Sequence, residues 1–359
     1  MIVGTRWSRW IPVCGILVGL SLPLRAQETA LAPLCTEIVT EVDVALSVPE
    51  VLDVTSVLRS ASPEKRHSLR EALHERLARA QSPRALVQTC VMLRAAPSEQ
   101  TIALLAGRLA LADAETASAI CEGLHRIAPV TPMRPEIAAG ALAALDVRLR
   151  DPRSSTVLMD RAVLAAGSFG TGGFDLLMKV RDDQRVPRRV LNVFYTALSQ
   201  TRDPRALPVL RAVVSDTSTP EGRRIQAVHA IGQLFASDEQ VKPIVVDAAE
   251  RVACATLLRG LLETASDQLF SVSLKALKHV ENIRESAPLQ QWTRASLLSA
   301  SHERREAALD VLYQSGLPLD GPTIELIRGF SQSNELPPSI QAAAQAVLDE
   351  RQLTVALSK

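Results

Sequence analysis

Short amphipathic helices recur in pairs along most of this chain, and that repetition constrains the fold more than any other feature. The stretch 203–236, DPRALPVLRAVVSDTSTPEGRRIQAVHAIGQLFA, is the clearest pair, two apolar-periodic segments joined by a polar turn. Helices of about 12–15 residues are marginal alone in water. A single hairpin cannot bury its apolar faces, so repetition predicts a stacked solenoid with an extended surface. Second helices of successive pairs are expected near 84–96, 115–128, 154–167, 186–200, 221–236, 267–282, 302–315 and 338–352. Their starts lie 31–46 residues apart, which fits one helical hairpin per unit with loops of variable length.

The periodicity is specific. Val190, Val193, Phe194, Ala197 and Leu198 fall on one helical face, as do Ile340, Ala343, Ala344, Val347 and Leu348, and Ile120, Gly123, Leu124 and Ile127. Turn signals separate the segments at Asp151-Pro152, Asp203-Pro204, Thr219-Pro220, Ala287-Pro288, Leu317-Pro318, Gly321-Pro322 and Pro337-Pro338. Aromatic residues make up only 3% of the chain, so Ala, Leu and Val fill the apolar positions, and both Ala and Leu are strong helix formers. The fold class expected is all-α. A hydrophobic content of 47% with 22% charged residues excludes wholesale disorder.

Residues 1–26 are a separate object. Arg6 and Arg9 precede an apolar run over 11–24, and Leu24-Arg25-Ala26 ends it with a small residue. This is the pattern of a cleaved secretory signal. A 14-residue run is short for a bilayer-spanning helix, which needs about 20. Cleavage would remove three arginines and leave 37 basic against 39 acidic residues, a net charge of −2. Such a chain is not built as a whole for nucleic acid or an anionic membrane. A periplasmic or secreted protein without stable membrane insertion is expected, with 27–48 as a flexible lead-in and 49–359 as the repeat array.

The unit at 203–236 resembles a HEAT repeat of the short bacterial kind that also occurs in the phycobilisome-lyase-like group. The resemblance is carried by the Asp-Pro-Arg-Ala-Leu opening at 203–207, the Leu-Arg-Ala-Val core, the Glu221-x-Arg223-Arg224 start of the second helix and the Ala-Ile-Gly-x-Leu close at 230–234. Weaker copies extend over roughly 62–352. The resemblance implies a right-handed α-solenoid of about eight hairpins, used as a protein-binding scaffold without catalysis or cofactor. Two other readings are a self-associating structural component of an envelope complex and a metal-binding HEAT-type enzyme. The HEAT-like deoxyhypusine hydroxylases bind iron through several His-Glu pairs. Here His74-Glu75 falls mid-helix and His302-Glu303 opens a helix, which supplies too few ligands at non-equivalent places. A bilin-lyase role conflicts with the export signal.

Other candidate features are few. Gly167 to Gly173 (GSFGTGG) is glycine-rich, yet it joins two helices and ends without the Lys-Ser/Thr of a phosphate loop, so it reads as a flexible turn between repeats. Arg doublets recur at the starts of three second helices: Arg188-Arg189, Arg223-Arg224 and Arg304-Arg305. The first two lie within a locally basic stretch, 175–224, with ten basic and six acidic residues. Two roles are open to them: a curved binding face for a protein partner with acidic surface groups, or a ladder to loop carboxylates such as Asp203 and Asp216. Of the cysteines outside the signal, Cys35, Cys90, Cys121 and Cys254, the pair Cys90 and Cys121 lies at matching places in consecutive second helices. These two are either a disulfide across a repeat junction or two packed thiols. Cys254 reads as a small apolar core residue.

The export signal predicts a mature amino terminus at or near Gln27. Terminal sequencing of native protein checks it, and retention of Met1 would remove the basis for an extracytoplasmic address.

Overall fold

The computed structural model describes residues 42–183, 191–236, 244–281, 285–315, 317 and 319–357. Within them α1 (Val48–Ser60) leads into eight helical hairpins. The first four pair α2 (Pro63–Arg79) with α3 (Pro83–Leu93), α4 (Glu99–Leu109) with α5 (Ala114–Ile127), α6 (Pro135–Arg150) with α7 (Thr156–Gly167), and α8 (Gly170–Asp182) with α9 (Leu191–Gln200). The second four pair α10 (Ala206–Ser215) with α11 (Glu221–Phe235), α12 (Ala248–Thr264) with α13 (Asp267–Val280), α14 (Ala287–Leu297) with α15 (His302–Ser315), and α16 (Gly321–Gln332) with α17 (Pro338–Leu357). The described residues contain no strand. The eight second helices occupy the eight places expected from the repeat spacing, so the chain is an all-α solenoid of stacked hairpins.

Helix starts follow from local chemistry. Ser62, Ser82, Ser98, Asp113, Ser155, Asp247, Ser266, Ser286 and Asp320 each accept a hydrogen bond from a first-turn amide of the helix they precede. Such caps stabilise a helix by about 1 kcal/mol each relative to Ala. Ser62-Pro63 and Ser82-Pro83 add proline at the first helical position, where no hydrogen bond is lost. Ser47 and Glu50 form a reciprocal capping box ahead of α1. The apolar stripes then meet between layers: Leu86 and Cys90 on α3, Ile120, Leu124 and Ile127 on α5, and Phe194, Ala197 and Leu198 on α9 are all buried.

Two layers result. Every consecutive pair of second helices, from α1 against α3 through α15 against α17, packs side by side. The first-helix layer is looser. Packing continues from α2 to α8, but among the described residues α8 with α10, α12 with α14 and α14 with α16 make at most marginal contact. A stack whose rows are closer on one side bends toward that side, so the second helices line the inner curve.

Glycine sets the inner spacing at two junctions. A Cβ on Gly167 of α7 would lie 2.5 Å from the Ala197 carbonyl oxygen of α9. A Cβ on Gly232 of α11 would lie 3.0 Å from Ala276 Cα of α13. Backbone approaches backbone there, and no larger residue fits without moving a helix.

Arginines tie the helix ends of one unit to the next. Arg108 of α4 donates to the Leu77 and Ala80 carbonyls (2.6 Å to the latter) at the end of α2. Arg148 of α6 donates to Leu109 (2.9 Å) and Ala112 (2.6 Å) at the end of α4. Arg202, in the left-handed region at φ 54°, reaches Gln233 (2.6 Å) and Ala236 (2.8 Å) at the end of α11, and within one hairpin Arg251 of α12 reaches Val280 (2.8 Å) at the end of α13. The last carbonyls of a helix have no partner within it, so a guanidinium from another helix satisfies them and favours the negative end of the dipole.

Two expectations change. Part of the lead-in is anchored. Leu46 is buried and exchanges hydrogen bonds with Gln88 of α3 (2.9 and 2.6 Å), the buried Arg76 donates to Val44 O (2.6 Å), and Asp43 accepts from the Gln81 and Ser82 amides. Burial of Leu46 and these hydrogen bonds hold 42–47 on the first hairpin, while 27–41 lie outside the described residues. The glycine-rich stretch is not a flexible turn either. Gly167 ends α7, Ser168 and Phe169 make a buried turn, and Gly170 (φ +61°) opens α8, whose first turn contains the remaining glycines.

The glycine junctions predict opposite outcomes for one chemical change. Gly167→Ala should destabilise by roughly 1–3 kcal/mol through overpacking, despite the higher helix propensity of Ala. Gly107→Ala on α4, where a Cβ meets nothing within 4 Å, should stabilise by up to about 1 kcal/mol. Urea unfolding of both variants checks the pair.

Candidate partner-binding surface

The outward face of the second helices is the extended surface the stack presents. Along it, polar side chains cross from helix to helix. Glu122 of α5 pairs with Arg126 one turn on (2.6 Å) and with Arg161 of α7. Ser199 of α9 donates to Gln233 of α11 (2.7 Å), and Lys278 of α13 meets Asp310 of α15 (2.7 Å). At the helix starts Ser266 donates to Glu221, Arg304 pairs with Asp267 (2.7 Å), and Ser339 donates to Glu306 (3.3 Å). This second row links α11, α13, α15 and α17 along one edge.

Cations without an ion pair among the described residues stand beside these rows. Arg84 and Arg94 of α3 are exposed, and Arg223 of α11 and Lys275 of α13 are half-buried. His125 and His279 add no charge at neutral pH. Burial holds His125 below its ordinary range, with Arg126 and Arg94 adding repulsion, and burial together with Lys278 takes His279 down to about 4. His125 Nδ1 lies 3.1 Å from the Ser168 hydroxyl, which fixes the ring between α5 and α7. Among the described residues no three His, Cys, Asp or Glu side chains gather as a metal site, and no helix is long and apolar enough to cross a membrane.

The doublets divide. Arg188 and Arg189 lie outside the described residues. Arg224 turns inward, its Nε donating to the Val214 carbonyl at the end of α10 (2.9 Å). Arg304 pairs with Asp267 and sits 4.1 Å over the Phe270 ring, and Arg305 lies 5.4 Å over the Phe330 ring of α16. The ladder partners are therefore a helix-start carboxylate, a carbonyl and aromatic faces. Asp203 and Asp216 are not among them, because Asp203 binds Arg205 (2.8 Å) and Asp216 holds Ser218 and Thr219 in its own loop. Of the four described doublet arginines, the Arg223 side chain has no hydrogen bond, ion pair or ring contact among the described residues.

Cys90 and Cys121 are free, buried thiols, as is Cys254. The Cys90 sulfur fills the notch over Gly123, 2.5 Å from where a Cβ would stand, so its packing partner on α5 is Gly123. Burial pushes all three thiols up to about 12, out of reach of thiolate chemistry at neutral pH.

The sequence reading missed the arginine-to-carbonyl ties and the Glu122 cluster. Both leave a trace. Arg-Leu dipeptides stand near the ends of three first helices, at Arg76-Leu77, Arg108-Leu109 and Arg148-Leu149, and Glu122 precedes Arg126 by one helical turn.

Commitment of Arg304 to Asp267 and Phe270 predicts that Arg304→Glu lowers the melting temperature by a few degrees, since it removes an ion pair and a ring contact and sets two carboxylates together. Arg94→Glu, at an exposed position, should leave the melt unchanged. Thermal unfolding followed by circular dichroism checks both.

No family model matches the chain, and no curated protein matches it. Solved structures do. The crystal structure of Kap121p aligns with 90% of this chain and 38% of its own at 12% identity and a TM-score of 0.43. The karyopherin Kap121p bound to the extreme C-terminus of the protein phosphatase Cdc14p aligns over 89% and 37% at 12% identity and a TM-score of 0.42. An engineered protein aligns over 91% and 95% at 16% identity and a TM-score of 0.35. The chain thus spans less than two fifths of the karyopherin chains it matches. At such scores the likeness carries no argument, and the fold class, a HEAT-like all-α solenoid, rests on the stacked hairpins themselves.

Proposed function

We propose that this chain is a non-catalytic, extracytoplasmic scaffold that binds another protein on the inner face of its second helices, and that the partner presents acidic groups. One observation carries the reading: Arg84, Arg94, Arg223 and Lys275 lie along that helix layer without an ion pair among the described residues. Uncommitted cations on an extended curved surface favour encounter with acidic groups and fix register, and their attraction is screened as salt rises. The extracytoplasmic address is supported by the signal-like residues 1–26. The doublets enter this reading through Arg223, while Arg224, Arg304 and Arg305 serve the scaffold.

Capture from native envelope extract on immobilised mature protein tests the proposal. Wild type should retain a partner that elutes as salt is raised. The variant carrying Arg84→Glu, Arg94→Glu, Arg223→Glu and Lys275→Glu should lose it with an unchanged melt. Equal capture by both proteins would remove the inner face from the function.

A further inference from the structure

One junction of the second-helix layer, α5 against α7, holds a cluster of like charges. There two guanidinium groups converge on one carboxylate. Arg126 Nε stands 2.7 Å from Glu122 Oε1, and Arg161 of α7 takes Oε2. The Glu122 side chain is 13% exposed, whereas each arginine side chain is 43% exposed. The carboxylate is thus tucked beneath two cations that remain open to solvent.

The acidic groups nearby do not balance this cluster. Asp160, beside Arg161, is engaged in a contact of its own. Glu115 is two turns before Glu122 on α5, roughly 10 Å along the axis at 1.5 Å per residue. Two guanidiniums therefore share one carboxylate. A guanidinium offers five N–H donors in a planar fork, so donors remain directed outward after Glu122 is satisfied. Their planar geometry matches a carboxylate bidentately.

We infer that Arg126 and Arg161 form a docking site for an acidic peptide segment of the partner, with Glu122 as the built-in carboxylate that holds the fork open and limits its affinity. The inference rests on the scaffold reading and names where on the inner face a carboxylate-bearing segment seats. A peptide fits better than nucleic acid. The cluster is compact, Glu122 already shows a carboxylate in the fork, and the chain without residues 1–26 carries a net charge of −2, unlike the basic tracks that follow a phosphate backbone.

The test uses the mature protein and a fluorescein-labelled oligoglutamate peptide, read by anisotropy at low salt. Glu122→Gln keeps the shape of the fork and removes the competing charge, so it should tighten binding by about 5-fold or more. Arg126→Gln with Arg161→Gln should weaken binding by at least about 10-fold. Binding unchanged or weakened by Glu122→Gln would overturn the inference, as would a single-stranded oligonucleotide binding as tightly with the same mutational pattern. Capture from envelope extract separates the two readings. If the double variant still retains the native partner, this cluster is not its seat and the scaffold reading stands. If wild type retains nothing, the scaffold reading itself fails.

Discussion

Short helices in this chain hold their shape only because each lies against the next, and close backbone approaches run through the second-helix layer. Gly167 against Ala197 and Gly232 against Ala276 bring helix backbones together where a single methyl group would intrude. Small and medium aliphatic residues do the same work elsewhere in the layer, which is why a chain with so few aromatics still buries a continuous core. The inner curve, the alignment of its polar rows and the separation of its exposed cations all follow from that spacing.

Arginine has two separate tasks in the molecule. One group satisfies terminal helix carbonyls, those of a neighbouring unit at Arg108, Arg148 and Arg202 and that of its own hairpin at Arg251. The other group lies across the inner face and engages carboxylates or solvent. The locally basic stretch 175–224 is largely absorbed by the first task and by ion pairs. Arg181 pairs with Asp182, Arg205 with Asp203 and Asp175, Arg211 with Glu250, and Arg224 caps α10. A local charge excess in sequence was therefore a poor guide to an exposed cationic patch. The cluster at Glu122 lies in a different hairpin, outside that stretch.

Helix positions were legible because apolar period, Ser and Asp caps and proline turns are all local signals, and they agree with one another from Ser62 to Pro338. The doublets were misjudged for a geometric reason. Adjacent residues on a helix point about 100° apart, so two neighbouring arginines cannot share one face. Arg223 stays half-buried without a side-chain partner among the described residues while Arg224 turns to Val214, and Arg304 meets Asp267 while Arg305 covers Phe330. The carbonyl ties were invisible for another reason. They join residues 28–39 apart through backbone atoms, and a backbone acceptor has no residue type to recognise. The glycine-rich stretch misled because glycine signals a loop in general, whereas here it serves a buried turn and a tight helix start.

The unequal packing of the two layers gives the molecule a mechanical character. Its inner row is continuous, while its outer row is continuous only from α2 to α8 and opens at α8 with α10, α12 with α14 and α14 with α16. Under bending or tension the inner row acts as a spine and the outer seams part, exposing little that was tightly packed. The amino-terminal half should behave as a stiff arm and the carboxy-terminal half as a spring that adjusts its curvature to what it holds.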